Sequence, residues 1–129
     1  MKIENTKAQL RKGALELVVL SIIRRAGTAY PTDILERLRE AELIVVEGTL
    51  YPLLSRLKTG GLLDYDWRES PAGPPRKYYG LTPAGEAFLT ELHRSWRDLV
   101  AAVDHATESG NSRDAKGHDA EAEATTAVA

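Results

Sequence analysis

The amino-acid sequence predicts a mainly helical α+β fold, a winged helix-turn-helix followed by one long C-terminal helix. Three observations support this prediction. Apolar residues recur at helical spacing in several segments, most regularly over residues 47–59. Two short aromatic-rich segments flank a loop rich in proline and glycine, which is typical of a β-hairpin. The hairpin follows a helix-turn-helix pattern and precedes the last helix, and this order is typical of a winged helix.

The first part of the chain predicts the helical core. Residues 13–25 are apolar on most sides, which indicates a central buried helix, and a shorter helix over residues 4–12 is expected before it. Ala26-Gly27-Thr28 would end the central helix and turn the chain. Pro31-Thr32 then marks the start of a second helix, because proline is favoured at the first helical position.

A third helix is predicted over residues 47–59 and would be ended by Gly60-Gly61. Its apolar face has the i, i+3, i+4, i+7 spacing and consists of Leu50, Leu53, Leu54 and Leu57. Pro52 would have to lie in the first turn or bend the helix. The opposite face has small or hydrogen-bonding side chains, which suit a helix that lies close to DNA. An ordinary solvent-exposed face is the alternative interpretation.

The hairpin is predicted from residues 62–68 and 76–81, with an exposed loop over residues 70–75. Arg76-Lys77 follows this loop, so a stiff loop would present two adjacent cations to phosphates or to a narrow minor groove. The alternative is the ordinary basic residue of a solvent-facing hairpin. If this wing binds DNA, its acidic residues must point away from the duplex; these are Asp64, Asp66 and Glu69.

Thr82-Pro83 predicts the start of a long helix that ends near Ala106, with Thr82 as the N-cap. Its apolar residues are spaced three and four apart, as in a heptad seam, and include Leu89, Leu92, Trp96, Leu99 and Val103. We expect a homodimer to bury this seam, although the helix would alternatively fold back on its own domain. Trp96 would be either a packing anchor or the wall of a cavity for a planar aromatic effector.

Charge and composition predict three regions. Residues 107–129 contain two basic and five acidic side chains and almost no large apolar residue, so we expect a disordered acidic tail. Residues 1–13 carry a net charge of +3, although the whole chain carries −2. Local charge decides whether a protein attracts a polyanion. Together with the predicted helices and hairpin, these charges divide the chain into a DNA-binding domain over residues 1–82, a dimerisation helix over residues 83–106 and the acidic tail over residues 107–129.

The sequence does not predict an enzyme, a cofactor or a metal site. It has no cysteine and no glycine-rich phosphate loop, so it lacks a thiol nucleophile and a thiolate ligand. His93 and His105 are too far apart on one helix to share a metal ion. The longest apolar run is too short to span a bilayer, and the N-terminus lacks a signal-peptide pattern, so a cytoplasmic location without membrane contact is expected.

Four stretches of the sequence resemble the PadR-like family of transcriptional regulators, in its short subfamily with a single C-terminal dimerisation helix. They are GALELVVL over residues 13–20, Tyr30-Pro31 with Ile34 and Leu35, EGTLYPLL over residues 47–54, and PRKYYGLTPAG over residues 75–85. The last two stretches are specific to this family. The sequence departs from the family at Val46, where a serine that would cap the third helix is common.

The resemblance implies a homodimeric repressor that binds double-stranded DNA at an inverted-repeat operator and, in several members, is released by a small molecule. Carried over by position, the DNA-contacting residues would be Tyr30, Thr49, Tyr51, Ser55, Arg56, Arg76 and Lys77, and Lys58 on the third helix completes the predicted set. Trp96 falls where some multidrug-sensing relatives place an aromatic residue in the central pore. A winged-helix protein-interaction module without specific DNA binding remains the alternative.

Overall fold

A computed structural model describes residues 1–43 and 45–115 of the chain, with side chains up to residue 108. The elements in chain order are α1 (Ile3–Ala26), α2 (Pro31–Glu40), α3 (Glu47–Thr59), β1 (Leu63–Ser70), β2 (Gly73–Leu81) and α4 (Pro83–Ala115). A helix-turn-helix, an antiparallel hairpin and a long last helix follow one another, which confirms the predicted mainly helical winged fold.

Helix α1 is one continuous helix, so the prediction of a separate short helix before residue 13 was wrong. Gly13 lies inside α1, and no atom outside its local helix lies within 4 Å of a Cβ built at that position. A glycine within a helix costs about 1 kcal/mol, which is too little to stop a helix that already propagates on both sides. The helix ends where expected, since Gly27 has a φ of 85° and donates its N–H to the Ile23 carbonyl.

The core is formed by apolar side chains from α1, α2, α3, the hairpin and the first turns of α4. All four leucines of the predicted α3 face are buried, which confirms that face. The largest fully buried side chains are Val19, Leu20, Ile23, Ile34, Leu38, Leu50, Leu54, Leu63 and Leu89. No polar or charged residue is buried within the described ranges, so the hydrophobic effect dominates the stability of this unit.

The ends of α2 and α3 direct the chain into the next element by the same hydrogen-bond pattern. Leu43 donates its N–H to the Leu38 carbonyl at 2.8 Å, and Leu62 donates to Leu57 at 3.0 Å. Each pattern needs one residue with positive φ, which is Glu42 at 62° after α2 and Gly61 at 83° after α3. Gly61 adopts this conformation without steric cost, so the chain leaves α3 in a defined direction toward β1.

Thr82 joins the end of α3 to the start of α4. Its Oγ1 accepts the Gly85 N–H at 3.0 Å, which confirms the predicted N-cap, and the same hydroxyl donates to the Gly61 carbonyl at 2.6 Å. A Cβ added at Gly85 would overlap the Leu62 carbonyl. The glycine therefore permits close packing of α4 against the segment between α3 and β1.

The hairpin is longer and its turn is tighter than predicted. Strand β2 begins at Gly73, so the turn consists of Pro71-Ala72 instead of a loop over residues 70–75. The register pairs Leu63 with Leu81 and Arg68 with Arg76, with an irregularity at residue 69. The register confirms the predicted alternation, because one side of the hairpin contributes its apolar residues to the core.

The chain divides into two compact units, Met1–Glu91 and Leu92–Ala129. Leu89 belongs to the core of the first unit and is fully buried, so its assignment to the dimerisation seam was wrong. Helix α4 continues to Ala115 instead of ending near Ala106, because propagation adds one hydrogen bond for each residue that joins the helix. The prediction of a disordered tail was therefore wrong for residues 107–115, and the rest of the predicted tail, residues 116–129, lies outside the described part of the chain.

The packing at Gly85 predicts opposite effects of the same substitution at two glycines. Gly85→Ala should lower the free energy of unfolding by about 1–3 kcal/mol, because the methyl group meets the Leu62 carbonyl and one segment must shift. Gly13→Ala should raise it by up to about 1 kcal/mol, because no neighbouring atom obstructs the added Cβ in α1. Urea unfolding of both variants measures this difference, and equal stabilities would contradict the packing described for Gly85.

Candidate nucleic-acid interface

Helix α3 presents an exposed polar face opposite its buried leucines. Thr49, Ser55 and Arg56 are exposed, and Tyr51 keeps 45% of its surface accessible. Burial of the leucine stripe alone holds these side chains outward, since positions on opposite faces of a helix point in opposite directions. The predicted face is therefore accessible along the length of the helix.

The start of α3 has no side-chain cap. Val46 is the N-cap, makes no side-chain hydrogen bond to the helix and is 67% exposed. Its carbonyl accepts the N–H groups of Thr49 and Leu50 at 2.9 and 3.1 Å. Pro52 lies in the second turn, not the first, so the Gly48 carbonyl lacks its usual helical N–H donor. The first turn of α3 is therefore less constrained by hydrogen bonds than its last turn.

Lys58 differs from the other predicted contact residues of α3. Its Nζ lies 4.0 Å from the Asp64 carboxylate and 5.6 Å from the centre of the Tyr65 ring. The side chain therefore turns toward strand β1, and Asp64 offsets part of its charge. Because both partners are well exposed, this ion pair contributes little to stability.

Arg76 and Lys77 lie on opposite faces of the hairpin. Both belong to strand β2, in agreement with the strand predicted over residues 76–81, and successive side chains of a strand alternate, so the loop does not present the two cations together. The Arg76 guanidinium lies 4.5 Å from the centre of the Tyr30 ring. The Lys77 Nζ lies 4.4 Å from the Tyr65 ring centre and 5.5 Å from that of Trp67. Each cation thus contacts aromatic rings on its own side of the hairpin: Arg76 contacts Tyr30 at the start of α2, and Lys77 contacts Tyr65 and Trp67 of β1.

Two residues that were not among the predicted contacts extend the Arg76 face. Tyr78 packs against Tyr30 with 5.1 Å between ring centres, and the Arg68 guanidinium lies 4.5 Å from the Tyr78 ring centre. Asp66 lies on this face as well, 3.4 Å from Arg68 Nε, so it does not point away from Arg76 as the DNA-binding hypothesis required. Strand alternation was visible in the sequence, but the pairing register that brings these residues together was not.

Tyr30 connects the hairpin to the helix-turn-helix. The preceding residue, Ala29, exchanges two backbone hydrogen bonds with Tyr79, at 3.0 and 2.8 Å. Tyr30 itself is the N-cap of α2, and its N–H donates to Asp33 Oδ2 at 3.4 Å.

Burial raises the pKa of Tyr79 above its usual value of 10.0, and the nearby Tyr65 and Tyr51 add to the shift, so the Tyr79 hydroxyl stays neutral near pH 7.

The second unit exposes most of the predicted apolar seam of α4. Trp96, Leu99 and Val103 keep 42%, 56% and 47% of their surfaces accessible, whereas Leu92 is half-buried. Val100 of the same unit is exposed as well, and so is Phe88 in the first unit. Large apolar side chains in one row on a helix favour burial against another surface.

The described residues offer neither a metal centre nor a membrane span. Within residues 1–43 and 45–115, no group of three or more histidine, aspartate or glutamate side chains is arranged to hold a metal ion. None of the helices in these ranges combines the length and apolar character needed to cross a bilayer.

Known proteins resemble this chain in both sequence and fold. The profile of the Transcriptional regulator PadR-like family matches residues 19–91. The crystal structure of a PadR-like transcription factor from Bacteroides fragilis is 54% identical, with a TM-score of 0.67, and the match covers 80% of this chain and 99% of that one. Transcriptional regulator Rv3488 of Mycobacterium tuberculosis is 46% identical over 59 residues, which are 46% of this chain and 54% of that relative.

A more distant structure shares the fold. Bacillus subtilis PadR, solved in complex with operator DNA, is 22% identical with a TM-score of 0.56, and the match covers 60% of this chain and 45% of that one. The matched family, the Bacteroides fragilis structure and Rv3488 are transcriptional regulators and not enzymes, in agreement with the class of protein predicted from the sequence. Since the family profile covers more than half of the chain and the Bacteroides fragilis structure matches most of it, this protein belongs to the PadR-like family of transcriptional regulators.

Proposed function

We propose that this protein is a homodimeric transcriptional repressor that binds double-stranded DNA at an inverted-repeat operator in the cytoplasm. The observation that carries the proposal is the exposed face of α3, which offers Thr49, Ser55 and Arg56 opposite a buried leucine stripe. Small hydroxyl side chains allow a helix to approach base edges in the major groove, and an arginine can pair with guanine through two hydrogen bonds. The operator complex of the distant Bacillus subtilis relative supports this use of the fold.

The hairpin supplies the proposed contacts to the DNA backbone. The Arg76 guanidinium lies over the Tyr30 ring at the start of α2. This cation of the hairpin therefore lies on the same surface as the start of the second helix of the helix-turn-helix. Lys77 would act from the other face of the wing, where Tyr65 and Trp67 hold it. Phosphate contacts of this kind position a protein on the duplex without reading its sequence.

Dimerisation would bury the exposed side chains of α4. Trp96, Leu99 and Val103 are accessible in the single chain and follow a heptad spacing, so a second copy of the helix is the expected partner. A two-fold dimer presents two α3 helices to two half-sites, which explains why an inverted repeat is expected. Leu92 would lie at the edge of this contact.

We further propose that a planar aromatic molecule binds near Trp96 and releases the protein from DNA. The indole is 42% exposed within the seam, and a tryptophan between two facing helices offers a flat apolar surface for stacking. A ligand that favours one arrangement of the two subunits would change the spacing of the α3 helices and thereby the DNA affinity.

A protein-interaction module without specific DNA binding is the second candidate. It is favoured by the acidic residues of β1, of which Asp64 and Asp66 lie on the Arg76 face. A stable dimer with the same weak affinity for every duplex sequence would support this candidate over the repressor.

The two proposed classes of DNA contact predict different losses. The double variant Arg76→Ala/Lys77→Ala should weaken binding to specific and random duplexes alike, because phosphate contacts are common to all sequences. Arg56→Ala should lower the affinity for the operator more than for random DNA, with about 1–3 kcal/mol of discrimination lost. Fluorescence anisotropy with both duplexes measures these effects, and equal losses for Arg56→Ala on both would exclude base reading by this side chain.

The proposed dimer predicts a monomer when a charge enters the α4 seam. Leu99→Asp should dissociate the dimer, because two carboxylates would be buried without partners, and DNA affinity should fall with it. Leu99→Met keeps an apolar side chain of similar volume and serves as the matched control. Light scattering after size-exclusion chromatography measures the mass, and an unchanged Leu99→Asp dimer would place the interface elsewhere.

The proposed effector site predicts fluorescence quenching that depends on Trp96. In a Trp67→Phe background, where Trp96 is the remaining tryptophan, planar aromatic compounds should quench the emission and lower DNA affinity. Trp96→Ala should abolish compound binding, measured by calorimetry with the dimer intact. Unchanged compound affinity in Trp96→Ala would leave Trp96 as a packing residue.

A further inference from the structure

Four side chains of the first unit form a continuous row of cation–ring and ring–ring contacts on one face of the hairpin, which we name the arginine–tyrosine ladder: Arg68, Tyr78, Tyr30 and Arg76. The guanidinium groups of Arg68 and Arg76 each lie 4.5 Å from a tyrosine ring centre, and the two tyrosine rings are 5.1 Å apart. Strands β1 and β2 pair Arg68 directly with Arg76, so both arginines project from the same face.

Two like charges on directly opposed strand positions repel each other. The ring faces of Tyr78 and Tyr30 offset part of this repulsion, because each carries negative charge density toward its guanidinium. Asp66 lies 3.4 Å from Arg68 Nε, which leaves the Nη donors of Arg68 available, and Arg68 keeps 46% of its side-chain surface exposed. Anions that accept hydrogen bonds from the two guanidinium groups would relieve the remaining repulsion.

We infer that Arg68 is a further DNA-contacting residue, which holds a phosphate group of the duplex backbone beside the phosphate that Arg76 contacts. This inference rests on the proposed function, because it assigns the anion to the duplex that α3 reads. Contact with a tyrosine ring restrains each guanidinium, and a restrained group with several N–H donors suits the oxygens of a phosphate. Tyr30 stands at the start of α2, so the ladder holds this phosphate site at a set position relative to the helix-turn-helix.

The salt dependence of binding tests the assignment. Arg68→Gln should lower the affinity of the full-length dimer for a random 30-base-pair duplex about tenfold at ~150 mM salt. The slope of log affinity against log salt should decrease by about 1.8, since one phosphate contact is lost from each subunit at ~0.9 per contact. Arg97→Gln removes the same charge from the exposed surface of α4 and should leave the slope unchanged.

Three further substitutions test whether Arg68 contacts a phosphate or only neutralises Asp66, and whether the Tyr78 ring supports Arg68. In an Asp66→Asn background, Arg68→Gln should still cause its loss of affinity and slope, because the phosphate contact does not depend on the carboxylate. Tyr78→Leu should reproduce part of the loss, whereas Tyr78→Phe should retain wild-type affinity because the ring that supports Arg68 is kept. Circular dichroism and thermal unfolding verify that each variant is folded.

The outcomes distinguish this inference from the proposed function. Absence of duplex binding by the folded wild-type dimer would overturn both. Normal wild-type binding with equal slopes for Arg68→Gln and Arg97→Gln would overturn only the role of Arg68. Full rescue of Arg68→Gln by Asp66→Asn would likewise overturn it, because Arg68 would then serve only to neutralise the carboxylate.

Discussion

The geometry of the first unit, which contains the helix-turn-helix and the hairpin, depends on the contact between the end of α3 and the start of α4. The Thr82 hydroxyl accepts the Gly85 N–H and donates to the Gly61 carbonyl, and Gly85 packs against the Leu62 carbonyl where no larger residue fits. The whole hairpin lies between these two helix ends in the sequence. The contact therefore sets where β1 leaves and where β2 returns, and with them the position of the wing beside α3.

Local signals explain why much of this fold is predictable from the sequence. The bounds of α3 follow from the spacing of four leucines and from Gly61, and the start of α4 follows from Thr82-Pro83. These signals act within one or two helical turns. The lengths of α1 and α4 were not predictable in the same way, because helix propagation is cooperative and continued through Gly13 and beyond Ala106.

The candidate site was predictable only as a set of residues, not as an arrangement. Exposure of Thr49, Ser55 and Arg56 follows from the α3 pattern. The separation of Arg76 from Lys77 follows from strand alternation, whereas the partners of Arg76 depend on the pairing register of β1 with β2 and on the packing of Tyr30. Likewise, Leu89 fits the heptad spacing, but its burial depends on how the first turns of α4 pack in the core. Long-range pairing and packing, which a single sequence does not display, decide these points.

Selection of binding sites from a random duplex pool with the full-length protein tests most directly whether two copies of α3 read two DNA half-sites. We expect enrichment of an inverted repeat whose half-site centres are about one helical turn, or a multiple of it, apart. Absence of any enriched sequence with a folded, dimeric protein would contradict it, and the exposed face of α3 would then have to serve a partner other than DNA.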